Sequence, residues 1–190
     1  MNTEKIEENW NRYKKLVEAL EKSHPGVESF IEQYAERLAM CPASSETQYF
    51  GAYPGGFLEL ALGVTAKMRA LHKVFECDVP MDSVVFVGLL HSIGLMGSER
   101  EDLLIPHDSD WHIKKGIVYK HNEFLPKMPL SHRSLYLIQS AGVKMSLDEW
   151  TAIATSTGTH RDESKFYNGS EPSLSLLVIQ ARQWILSRAE

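Results

Sequence analysis

Apolar positions recur with a helical period along most of the chain. Ile6, Trp10, Tyr13, Leu16 and Leu20 fall three or four residues apart among charged neighbours, so residues 4 to 22 read as an amphipathic helix. Pro25 interrupts the pattern before a second helix that ends near Leu38. From Phe57 to Phe75 apolar residues cover most of the helical circumference, Leu58, Leu60, Val64 and Met68 among them. That distribution predicts a buried central helix, stopped by the Cys77 to Pro80 stretch. Val84 to Ile93 is apolar nearly all round, with Asp82 or Ser83 as the expected N-cap and Gly94 as the expected stop. A further helix runs from Arg133 to Ser140 and ends at Gly142. Ser146 and Glu149 then form a capping box that opens a helix through Ile153, and a last helix covers Ser173 to Arg188.

Two segments lack this period. Cys41 to Gly56 is rich in Pro, Ser and Gly and reads as a loop. Residues 97 to 128 mix charge with Pro106, Gly116 and Pro126 around a β-like Gly116–Tyr119 run, which predicts an irregular insert containing a short β-hairpin. The fold class is therefore all-α, a helical bundle with one insert. Residues 1–190 are expected to form a single domain, with N-terminal helices over 1–40 and a core over 45–188.

Composition narrows the field. In 190 residues, 43% apolar content suffices for a sizeable core. The 20 Lys and Arg against 25 Asp and Glu give a formal charge of −5, so a broad electrostatic grip on nucleic acid is unsupported. Cys41 and Cys77 lack metal-type spacing and read as unpaired thiols. The N-terminus is polar, and no apolar run approaches the roughly 20 residues that cross a bilayer, so a soluble, cytoplasmic chain without a membrane partner is expected.

Three stretches, in this order, carry a resemblance: Gly55-Gly56-Phe57-Leu58-Glu59-Leu60, then Leu89-Leu90-His91-Ser92-Ile93-Gly94, then Leu176 to Trp184. Together they resemble the HD superfamily of metal-dependent phosphohydrolases, and most of all HD-domain proteins of T4-like bacteriophages. Those also share the Gly51–Gly56 loop and the Arg133-Ser134-Leu135-Tyr136 helix start. The family's first two motifs read Gly-Gly-Leu-Leu-Glu-His and Leu-Leu-His-Asp-Ile-Gly-Lys, and a late helix supplies a final Asp. The resemblance implies an HD-like bundle over residues 45–188 and, in the family, one or two divalent metals that activate water against a phosphate ester.

Position by position, the family's first His falls on Leu60, its His-Asp pair on His91 and Ser92, its later His on Ser156 and its final Asp on Arg182. Only His91 is retained, and one imidazole beside a guanidinium cannot hold a hard dication. The resemblance thus implies a phage-encoded pseudoenzyme in the host cytoplasm, with no metal and no cofactor. It would bind a phosphorylated small molecule or nucleotide, or a protein partner such as a second copy or an intact HD-domain protein. The alternative is an active phosphohydrolase with a non-standard ligand set. The expected binding residues are His91, Arg182, Glu59, Gly55 and Gly56, with Lys115 and Tyr119 from the basic, aromatic stretch 111–121. Arg182 is expected either to help bind an anion or to close the pocket by pairing with Glu59. The 111–121 stretch either holds a nucleotide or acidic partner or simply covers the core. His107-Asp108 and His112 offer possible substitute ligands, but in a polar loop rather than at the end of an apolar helix. His24, His72, His132 and His160 show no spacing beyond ordinary core or surface roles.

Overall fold

A computed structural model of the chain describes residues 1–187, and among them the all-α expectation holds. Nine α-helices surround the core, and the one sheet is a two-stranded antiparallel hairpin. Helix α1 (Thr3–Leu20) opens under the Asn2 side chain, which accepts the Lys5 N–H at 3.0 Å, and buries Ile6, Asn9, Tyr13, Val17 and Leu20. The segment after Pro25 is two short helices, α2 (Val27–Gln33) and α3 (Ala35–Met40), where one was expected. Tyr34 between them leaves helical geometry, with φ −118° and ψ 20°, and its ring meets Phe30 edge-on at 5.9 Å.

Helix α4 (Gly56–Val74) is the central element, flanked by α5 (Met81–Leu90) and α9 (Ser173–Leu186) and met by α1 and α3. Its fully buried Phe57, Leu58, Leu60 and Met68 face neighbours on several sides, as the nearly continuous apolar run requires. Helices α4 and α5 approach so closely that a Cβ on Gly88 would lie 2.6 Å from the Thr65 hydroxyl. The start of α5 differs from expectation. Pro80 is the N-cap, and Asp82 and Ser83 lie inside the first turn, where the Ser83 hydroxyl donates to Glu149 at 2.6 Å instead of capping. At the other end His91 is the C-cap and Gly94 sits within a 3₁₀ turn, Ile93–Met96. Gly94 is required there by close approach, because a Cβ would lie 2.8 Å from the Leu130 carbonyl oxygen and the Ser134 nitrogen.

The insert carries β1 (Leu104–Pro106), a one-turn helix α6 (Asp110–Lys114) and β2 (Tyr119–His121), with Leu104 opposite His121 and Pro106 opposite Tyr119. The Gly116–Ile117 half of the β-like run pairs elsewhere: Ile117 bridges Glu46, and Thr47 donates to the Gly116 carbonyl at 2.8 Å. Helix α7 (Leu130–Ser140) begins three residues before the expected Arg133, with Pro129 as its N-cap. Helix α8 (Leu147–Thr155) has the expected capping box between Ser146 and Glu149. It packs against α9, α7 and α5, which completes the bundle. The last helix ends at Leu186, and the expected terminus Arg188 lies outside the described residues. No helix among the described residues is long and apolar enough to cross a membrane.

Candidate functional site at the C-terminal end of α5

The apolar α5 ends at His91, whose carbonyl accepts the Ser134 hydroxyl of α7 and whose ring lies within reach of the Arg182 charge on α9. The side chain is 1% exposed. Its Nδ1 lies 3.0 Å from the Gly88 carbonyl, which can only accept, so Nδ1 carries the proton and Nε2 is an acceptor. That Nε2 is buried and has no partner. Burial, reinforced by the nearby Arg182 guanidinium, pushes the His91 pKa down to about 3, so the ring is neutral at neutral pH.

Arg182 lies on α9, two turns beyond the fully buried Ser175 and on the same stripe of the helix. Its Nε is buried and unpartnered. Burial and then the charge of Arg161 pull its pKa down to about 10, which still leaves it charged at neutral pH. Among the described residues no carboxylate pairs with Arg182 or with Arg161. The Ser92, Thr157 and Ser175 hydroxyls, which follow α5, follow α8 and lie on α9, are likewise buried without partners. Orphaned buried polar groups are rare in folded proteins and each calls for a missing partner. One guanidinium nitrogen, three hydroxyls and an imidazole nitrogen share that condition.

The remaining expected residues divide. Leu60 is 1% exposed and belongs to the apolar core. The Ser156 hydroxyl donates to the Ile153 carbonyl at 2.8 Å, so it caps its own helix. Glu59 does not pair with Arg182; its carboxylate accepts the Tyr53 hydroxyl at 2.7 Å. The ion-pair closure therefore gives way to an Arg182 without a counter-ion. The Gly55–Gly56 loop is a tight structural turn rather than an anion cradle. Gly55 has φ 84°, a Cβ on Gly56 would collide with the Gly51 carbonyl, and the Gly56 and Phe57 N–H groups donate to Tyr53 and Cys41, each at 3.0 Å.

Lys115 and Tyr119 are not among the groups that act on His91 or Arg182. The Lys115 ammonium sits 3.8 Å above the Trp111 ring. Tyr119 lines a separate cleft of about 360 Å³ with Cys41, Arg37 and Met96. The 107–112 stretch is self-contained as well: the His107 and His112 rings stack at 4.2 Å, and Lys120 holds Asp108 at 2.7 Å. Among the described residues no three His, Cys, Asp or Glu side chains are grouped to hold a metal ion. Around His91 the donor set is one imidazole nitrogen beside a guanidinium, which does not fit a divalent cation.

Sequence reasoning missed Arg161, Thr157 and Ser175. Ser175 had a signal, its seven-residue separation from Arg182 on one helix; Arg161, in an irregular polar stretch, had none. Compared with protein-family models, curated proteins and solved structures, the chain matches none.

Proposed function

We propose that the chain is a non-catalytic protein of the HD type that binds a phosphorylated small molecule where His91, Arg161 and Arg182 come together. One observation carries this reading: Arg182 is charged and half-buried with its Nε sealed off and unpartnered, and it has a second guanidinium for a neighbour and, among the described residues, no carboxylate. A permanent charge in that position is stabilised by an oxyanion with several acceptor oxygens, and arginine presents a planar fork suited to phosphate. The orphaned hydroxyls supply further donors to such a group, while neutral His91 offers an acceptor for a ligand N–H or O–H. Nothing at this position lowers the pKa of a water, so the reading is of a binder rather than a hydrolase.

The test is a thermal-shift and calorimetric panel of phosphate, pyrophosphate and nucleoside mono-, di- and triphosphates. At one hundred times its dissociation constant, a ligand specific for the folded state adds about 2.7 kcal/mol of stability. Arg182→Met should abolish that gain. Absence of any ligand-dependent stabilisation would remove the small-molecule reading and leave a protein partner. Manganese-stimulated phosphate release that disappears in His91→Ala would install the hydrolase reading instead.

A further inference from the structure

A cationic cavity lies between the insert and the start of α7. It measures about 900 Å³, within the range of small-molecule sites. Its charged lining is lopsided in a chain of net charge −5: Lys120, Lys127 and Arg133 face it, with the His107 and His121 imidazoles, against one carboxylate, Glu123. Arg133 is the anchor. It is 5% exposed, and its guanidinium makes one hydrogen bond, from Nη2 to the Pro126 carbonyl at 2.6 Å. No carboxylate pairs with it among the described residues. A guanidinium has five N–H donors, so most of this one's capacity faces the cavity unused.

Other groups add to the same field. His107 Nδ1 accepts the Ser109 N–H at 3.1 Å, which leaves Nε2 as the ring's N–H donor. Lys127 is exposed and makes no ion pair among the described residues, whereas Lys120 is already held by Asp108 at 2.7 Å. Helix α7 starts at Pro129 without a side-chain cap, so its positive end is open toward the Met128–Leu130 rim. Asn122 adds a polar amide to the wall, and Leu103, Leu125, Met128 and Leu130 make up its apolar part.

We infer that this cavity is a ligand site, distinct from the one at Arg182, for an amphiphilic oxyanion: a phosphate or carboxylate on Arg133 and Lys127 with an apolar body against Leu125, Met128 and Leu130. The buried charge selects the anion, and the apolar wall excludes small hydrated ions as the best occupants. Residue Ser134, next to Arg133, accepts the Gly94 N–H and donates to the His91 carbonyl, each at 3.0 Å. The cavity is thus tied by α7 to the turn that positions His91.

Calorimetric titration of the full chain with hexyl phosphate, hexanoate and hexanol tests the assignment. At least one of the two anions should bind saturably at millimolar concentration or tighter, which separates the phosphate and carboxylate sources, and hexanol should not. Arg133→Met should weaken binding about tenfold or more, as expected for a charge-assisted fork. Lys127→Glu, an exposed substitution that cannot disturb folding through the core, should weaken it roughly threefold, and more at low salt. Arg182→Met, which removes the anion site proposed on α9, should still bind one equivalent saturably in the insert cavity. The assignment is overturned if neither anion binds, if hexanol binds as well as they do, if Lys127→Glu leaves the affinity unchanged, or if Arg182→Met abolishes it. Where Arg133→Met does not fold, the Lys127→Glu and Arg182→Met results decide alone.

Discussion

Helix α5 has a buried histidine site near each end, and the two are built on opposite principles. Toward its start, His24 stacks on Phe86 at 4.0 Å, its Nε2 meets Glu149 at 3.0 Å, and its Nδ1 meets the Ser23 hydroxyl at 3.1 Å. Glu149 in turn accepts the Ser83 hydroxyl at 2.6 Å and the Ser146 N–H at 2.7 Å. Both ring nitrogens and both carboxylate oxygens have partners. At the other end, His91 Nε2 and Arg182 Nε have none. Polarity buried to fasten the helices together is closed on itself, whereas polarity left open in the same core is, on the proposed function, completed by a ligand.

The sharpest way to break this comparison is Glu149→Ala. It strands His24 and Ser83 in the core and removes the capping box of α8. The expected loss is about 3–5 kcal/mol, the scale for breaking a buried pair, read as a shift in the urea midpoint. A loss below about 1 kcal/mol would mean that the closed network does not hold the helices.

Acid separates the two ends by window. Burial alone would raise the Glu149 pKa, but hydrogen bonds from His24, Ser83 and Ser146 outweigh it and hold the carboxyl at about 2. A depressed carboxyl pKa contributes stability above the unfolded value near 4.5, and that contribution is lost as pH falls toward 2. His91 acts earlier. Its folded pKa of about 3 lies below the ordinary 6.5, so between these values the unfolded chain binds more protons and stability falls with pH. By pH 5 the His91 contribution to that fall is about 2 kcal/mol. Comparison of wild type with His91→Gln between pH 7 and pH 5 isolates it; parallel curves would show that the ring is solvated.

How much of this was legible in the sequence follows from which signals are local. The helices came from periodicity, and the α8 capping box from four consecutive residues, because both depend on neighbours in the chain. The boundary of α5 was misplaced because Ser83 answers to Glu149, 66 residues away. His24 gave no sign of its role for the same reason, since Glu149 is 125 residues distant. At the candidate site the motif register put His91 and Arg182 in one place, and the Arg182 charge does act on His91; of the two expected fates of Arg182, pairing with Glu59 does not occur. Glu59 points to Tyr53, six residues earlier, a local competitor that a family-based register does not weigh.

The smallest expected effect is also the most diagnostic. In a protein without ligand, Arg182→Met replaces a half-buried arginine, whose Nε is sealed off without a partner, by an apolar chain of similar length. Removing one member of a satisfied pair is costly, because the other member is left behind, and that is the Glu149 case. Removing a charge that has no partner leaves nothing behind and relieves both the desolvation of Arg182 and its repulsion from Arg161, the two causes of its lowered pKa. Lost packing of the arginine stem works against this, and methionine restores most of it. Arg182→Met should therefore be neutral or stabilising by about 1 kcal/mol in the ligand-free protein, measured as a rise in Tm of a few degrees or none. A destabilisation on the scale of Glu149→Ala would show that Arg182 is already satisfied within the fold. The two ends of α5 would then be alike, and the open site would lose its claim to a ligand.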